Sequence, residues 1–138
     1  REDAAIASKL AAKTYNLNIL ENNFQDADTN VTRFLMMSAD LLIPKSEEKN
    51  LMTTLVFELK SIPAALYKSL GGLASNGVNM TKIESYINPK GFDVVQFYAD
   101  IEGHPDDPEV QLAFDELSFF TDMVHVLGTY PASATRPT

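Results

Sequence analysis

The residues best placed to do chemistry lie in Leu59–Tyr86. Pro63 suits the first position of a helix, where its missing N–H is not needed. Leu66, Leu70 and Leu73, with Ala65 and Ala74, then recur at helical spacing on one face. Asn76-Gly77 stops the helix, because Gly takes the left-handed conformation without a Cβ penalty. Such a helix leaves its first backbone N–H groups, around Ile62–Leu66, without intrahelical partners, and its positive end attracts an anion such as a carboxylate. Small Ala64 and Ala65 let a ligand approach that backbone. A plain strand–helix junction has the same spacing, since most helix starts bind nothing, and spacing alone does not separate the two.

Other reactive groups are sparse. The chain has no Cys, which excludes disulfides, thiolate zinc sites and a cysteine nucleophile. His104, in Gly-His-Pro-Asp, reads as a loop residue, with no second His or Cys at metal-ligand spacing, and His125 as surface or interface. Asp106, Asp107 and Glu109 read as charges at a helix start rather than a metal site, and Glu47-Glu48 as linker solvation.

The elements that must position these groups follow from pattern. Glu2–Tyr15 is Ala-rich, with acids first and Lys9 and Lys13 later, as a helix dipole prefers, and Asn16 suits its C-cap. Leu17–Leu20 fits a short strand, 21–30 has loop composition, and Val31–Met37 returns to a strand-like run. Asp40–Asn50, with Pro44 and mixed charge, reads as a linker. Met52–Leu59 alternates, with Leu55, Phe57 and Leu59 on one face. The helix from Pro63 follows, then a half-exposed strand over Val78–Ile87. Asn88-Pro89-Lys90-Gly91 is turn chemistry before a strand over Asp93–Glu102, whose Val95, Phe97, Ala99 and Ile101 share a face. Asp107 (or Asp106) caps a helix with Pro108 first and Val110, Ala113, Phe114, Leu117 and Phe120 on its buried side. Met123–Tyr130 is a last strand and 132–138 a flexible tail. The order β-α-β-β-α-β predicts an α+β, ferredoxin-like domain: a four-stranded antiparallel sheet with both helices on one face, preceded by a helix–strand arm.

The 138 residues suit one domain plus an arm, and 45% hydrophobic content supports a real core. The net charge of −8 is uneven: residues 51–131 carry four Lys, no Arg and eleven acids. Nucleic acid, which needs phosphate neutralisation, is therefore a poor partner. Lys90–Phe97 partly matches an RNA-recognition strand, yet Val94 stands where a second stacking ring belongs and Asp93 adds negative charge. No charged leader and no apolar run approaching 18 residues is present, so neither secretion nor a membrane partner is expected, and the cytoplasm is the expected compartment. A chain opening on Arg1 is expected to be a processed or partial product.

Ile62–Lys68, Gly77–Ser85, Gln96–His104 and Val126–Pro131 together resemble the ACT domain of prephenate dehydratases. Ala4–Ser8 and Asn30–Phe34 resemble the end of that family's catalytic domain, so the likeness covers almost the whole chain. It implies residues 1–39 as the remnant of the catalytic domain, 40–50 as linker and 51–131 as the ACT regulatory domain. It also implies the cofactor-free conversion of prephenate to phenylpyruvate, carbon dioxide and water in phenylalanine biosynthesis. The family's Thr-Arg-Phe motif falls on Thr32, Arg33 and Phe34. By that likeness Thr32 hydrogen-bonds the leaving hydroxyl, Arg33 binds a carboxylate or organises the strand, and Phe34 packs. Most of the cleft would lie outside these residues, so no turnover is expected from the chain alone.

The ACT resemblance further implies L-phenylalanine held between paired domains of a homodimer or homotetramer. The family's binding motifs fall on Ala64-Ala65-Leu66-Tyr67 and on Glu84-Ser85-Tyr86-Ile87. Amides near Ala65 and Leu66 suit the ligand's carboxylate, and Asn79, followed by Met80 and Thr81, or a backbone carbonyl takes its ammonium. Ala64 stands where the family often has Gly, and Tyr86-Ile87 replaces Arg-Pro. A stand-alone amino-acid sensor and a purely oligomerising module remain the alternatives.

Overall fold

The computed structural model describes residues 3–27, 32–40, 44–87 and 95–133. The chain divides into two compact units, Arg1–Met37 and Ser38–Thr138.

Among the described residues the first unit contains one helix, α1 (Lys9–Tyr15), and residues 3–8 of the longer helix expected before it are not helical (Glu2 lies outside the described residues). Ser8 sets the start: its Oγ accepts the Ala11 N–H at 3.1 Å, as an N-cap does. Asn16 ends it at φ 51°, and the Leu17 N–H closes back on the Ala12 carbonyl at 2.9 Å. The strands expected at Leu17–Leu20 and over 32–37 are absent, and both stretches are irregular (Val31 lies outside the described residues). Apolar alternation does not make a strand unless a neighbour accepts its backbone hydrogen bonds. Every described residue of this unit is exposed or only half-buried, with Ile6, Leu20, Phe34 and Met37 all more than four-fifths exposed.

The second unit is built as the pattern predicts. Its elements are β1 (Leu51–Leu59), α2 (Ala65–Ser75), β2 (Met80–Ile87), β3 (Val95–Glu102), α3 (Pro108–Ser118) and β4 (Thr121–Pro131). The sheet order β2-β3-β1-β4, with every pairing antiparallel, is the ferredoxin-like arrangement. Leu55, Phe57, Phe97, Ala99 and Ile101 form the buried sheet face, and Leu73, Val110, Ala113 and Leu117 of the two helices cover it. Phe57 and Phe97 sit directly opposite in register and stack with centroids 5.3 Å apart. Phe114 packs at the margin, while Phe120 lies beyond α3, half-buried under the Lys68 ammonium. The turn expected at Asn88–Gly91 and the start of the strand at Asp93 lie outside the described residues.

Both helix ends of α2 have a chemical cause. At its close, Gly77 takes φ 71°, the Gly77 N–H donates to Ala74 O at 3.2 Å and the Val78 N–H to Leu73 O at 2.9 Å. This pair of bonds is a Schellman motif, which satisfies carbonyls the helix leaves open. At its start the helix begins at Ala65, two residues after Pro63, because Ala64 occupies the left-handed region at φ 59°, ψ 26°. α3 starts at Pro108 as expected, but the Asp107 carboxylate accepts the His104 N–H at 2.7 Å instead of capping the helix. β4 matches β1 with two irregularities, which leave Leu127 and Asp122 without a facing residue.

Candidate functional site

A cleft of about 620 Å³ opens where β1 turns into α2. Leu59, Val95 and Phe97 give it an apolar wall from the ends of β1 and β3; Ile62, Pro63 and Leu66 add to that wall, and Ala64 and Ala65 form its floor at the helix start. The connecting turn is pinned from outside. The Lys60 N–H donates to Phe120 O at 3.0 Å, and its Nζ donates to Phe119 O at 2.9 Å, at the close of α3.

Fewer amides are open than the helix start alone suggests. The Ile62 N–H donates to Lys60 O at 2.8 Å and the Ala65 N–H to Ile62 O at 3.3 Å, so both are used within the turn. Among the described residues, the amides of Ala64, Leu66 and Tyr67 have no partner. They form the anion-accepting end of α2, whose first turn contains no acidic residue. Among the described residues, the one charged side chain lining the cleft is that of Lys60. Chemically the cleft suits a small molecule with a carboxylate and an apolar body.

Of the second expected motif, no residue lines the cleft, although half of it shares the cleft's side of the sheet. Ser85 pairs with Phe97 and Ile87 with Val95, on the helix-covered side of β2. Glu84 lies on the other side, opposite Tyr98, where it bonds Lys82 Nζ at 3.0 Å and the Tyr86 hydroxyl at 2.8 Å. Lys82, and then Tyr86, hold its carboxyl below the usual range. Tyr86, like Lys82, thus binds Glu84. Asn79 sits at the far end of α2, an eleven-residue helix about 16 Å long. Its Nδ2 donates to Glu102 Oε2 at 3.0 Å. Met80 packs on the core there, and the Thr81 hydroxyl donates to Asp100 O at 3.3 Å.

In the first unit, Thr32, Arg33 and Phe34 are all exposed, and Phe34 is 87% exposed. His104 is 2% exposed and its Nδ1 accepts the Asp106 N–H at 3.0 Å, a structural placement in keeping with a loop residue. Among the described residues no group of three His, Asp or Glu could hold a metal ion, and no helix is long and apolar enough to cross a membrane. Sequence reasoning missed Lys60, Val95, Phe97 and Glu102. Alternation had placed Val95 and Phe97 on the core face, but only the shape of the β1–α2 turn leaves that end of the face uncovered.

The left-handed Ala64 has a measurable consequence. An alanine at that conformation gives up roughly 1–2 kcal/mol, which glycine does not, while glycine loses more chain entropy on folding. Ala64→Gly is expected to stabilise the fold by about 0.5–1 kcal/mol, read as a higher denaturation midpoint at unchanged m-value. A lower midpoint would show that residue 64 does not hold this conformation in solution.

Residues 1–41 match the prephenate dehydratase family. The bifunctional N-acyl-homoserine lactone acylase/prephenate dehydratase of Komagataeibacter europaeus is 48% identical over 136 residues, 99% of this chain and 48% of its own length. The bifunctional chorismate mutase/prephenate dehydratase of Aquifex aeolicus is 44% identical over 92% of this chain and 34% of its own. In structure, the chain is similar to prephenate dehydratase from Arthrobacter aurescens in complex with L-Phe, with TM-score 0.60 and 30% identity over 70% of this chain and 32% of that one. The chain therefore spans about half, or a third, of the length of these relatives.

Proposed function

We propose that this chain is the carboxy-terminal part of a prephenate dehydratase and that its second unit is the ACT domain that senses L-phenylalanine. On this reading residues 1–39 close the catalytic domain, 40–50 link and 51–131 sense. Thr32 serves the leaving hydroxyl of prephenate and Arg33 a substrate carboxylate, in a site that needs the rest of the enzyme. The observation that carries the sensing role is the cleft at the start of α2. It joins open amides, an acid-free helix end and an apolar wall, the complement of phenylalanine's carboxylate and ring. The complex of the Arthrobacter relative with L-Phe supports the same ligand.

Phenylalanine also carries an ammonium group, and among the described residues the cleft's one charged side chain is positive. Asn79, the candidate acceptor, lies at the wrong end of α2 within one chain. A second copy resolves this. β2 is an edge strand with exposed backbone groups, and two-fold antiparallel pairing of β2 with β2 sets one copy's Asn79 end beside the other's Ile87 end. Ile87 pairs with Val95, which lines the cleft. The site is thus shared between two copies in a homo-oligomer.

Calorimetric titration tests the reading. L-Phenylalanine is expected to give saturable heat with a Kd of roughly 10 μM to 1 mM, L-tyrosine much less, and Asn79→Ala none. No heat at millimolar phenylalanine, from a folded and oligomeric sample, would overturn the sensing role and leave the domain to assembly alone.

A further inference from the structure

An asparagine can present either a carbonyl oxygen or an amino group to a ligand, and only the oxygen can receive an ammonium. We propose that Glu102 is a positioning residue that fixes the Asn79 amide with its oxygen outward, which lets the site tell an amino acid from its deaminated analogue. The inference rests on the phenylalanine-sensing reading above.

The Asn79 Nδ2 donates to Glu102 Oε2 at 3.0 Å. An ionised carboxylate only accepts, so the nitrogen branch must face Glu102 and Oδ1 must occupy the opposite branch. The backbone holds the two residues together as well: the Glu102 N–H donates to Asn79 O at 2.9 Å. Asn79 is itself exposed, so its outward oxygen is accessible to a ligand or to a second copy. The carboxylate on the nitrogen side also polarises the amide, which strengthens Oδ1 as an acceptor. Without Glu102 the amide rotates, and its amino group faces the ligand for part of the time. That orientation repels an ammonium but is indifferent to a ligand that has none.

The test compares L-phenylalanine with 3-phenylpropanoate, which keeps the ring and carboxylate and lacks the ammonium. Binding of both to the full chain is followed by ligand-detected NMR, which reads millimolar affinities. Glu102→Ala is expected to weaken L-phenylalanine about tenfold and leave 3-phenylpropanoate unchanged. Glu102→Gln, which keeps one acceptor oxygen, is expected to recover part of the loss. Equal weakening of both ligands would make Glu102 a structural residue only, and no weakening of either would remove its role; each overturns the proposal while leaving phenylalanine sensing intact. A wild-type chain that fails to bind L-phenylalanine would instead overturn the sensing reading, and the proposal with it.

Discussion

Gly103→Ala is expected to destabilise the Ser38–Thr138 unit by about 3 kcal/mol, the sum of backbone strain and overpacking. Gly103 holds φ 112°, outside the region any L side chain adopts readily, and an added Cβ would lie 2.9 Å from Val110 Cγ2. Neither party can retreat. Val110 is 2% exposed within the core, and Gly103 is tied on both sides, its N–H to Leu51 O at 2.9 Å and its carbonyl to the Thr53 hydroxyl at 2.7 Å. Chemical denaturation followed by circular dichroism measures the loss, which for a unit of this size lowers Tm by more than about 10 °C. A change below about 1 kcal/mol would mean that the loop relaxes freely and is not held as described. Because Gly103 follows Glu102, the same substitution is also expected to disturb the Asn79 contact.

The second large effect separates two neighbouring glycines of α2. Gly72 faces α3 so closely that a Cβ would meet Glu116 Cβ at 2.7 Å, whereas Gly71 has nothing within 4 Å. Cβ atoms cannot swing aside, so Gly72→Ala must push the helices apart. It would also strain the Glu116 carboxylate, which accepts from Ser75 Oγ at 3.1 Å and Asn76 Nδ2 at 2.9 Å. Gly72→Ala is expected to cost about 2 kcal/mol. Gly71→Ala, in open space, is expected to stabilise by up to about 1 kcal/mol through helix propensity alone. Opposite signs at adjacent positions, measured by the same denaturation experiment, test the helix crossing itself; stabilisation by both would show that α2 and α3 pack more loosely.

Much of the second unit was legible in the sequence because its signals are local and mutually consistent. Asn76-Gly77 announced a helix stop and Pro108 a start, and the alternation of β1 and β3 located the buried face. The first unit was not legible in the same way. Val31–Met37 has a strand's composition, but composition cannot supply the neighbour that a strand requires, and 32–37 is irregular. The candidate site divides along the same line. That Ala64, Ala65 and Leu66 would meet at one helix start was legible because a helix start is a local feature, whereas the Asn79–Glu102 bond was not, because it joins residues 23 apart in the chain. The separation of Asn79 from the cleft likewise depends on the direction of α2, which no spacing rule reveals.

The two interruptions in β4 set a limit on growth. A regular edge strand is a template: another chain can add to it, and another to that, without end. In this sheet one edge is β2, whose single irregularity falls near its start, between Met80 and Lys82, and in the proposed assembly β2 pairs with β2 about a two-fold axis and is consumed in both partners. What remains at either flank is β4, where Leu127 and Asp122 break the ladder against β1 and twist the outer edge. A third copy finds no continuous row of backbone groups to extend. On the proposed pairing the sheet would therefore terminate after two copies, and the chain would expose an adhesive edge for partnership without becoming the seed of a fibre.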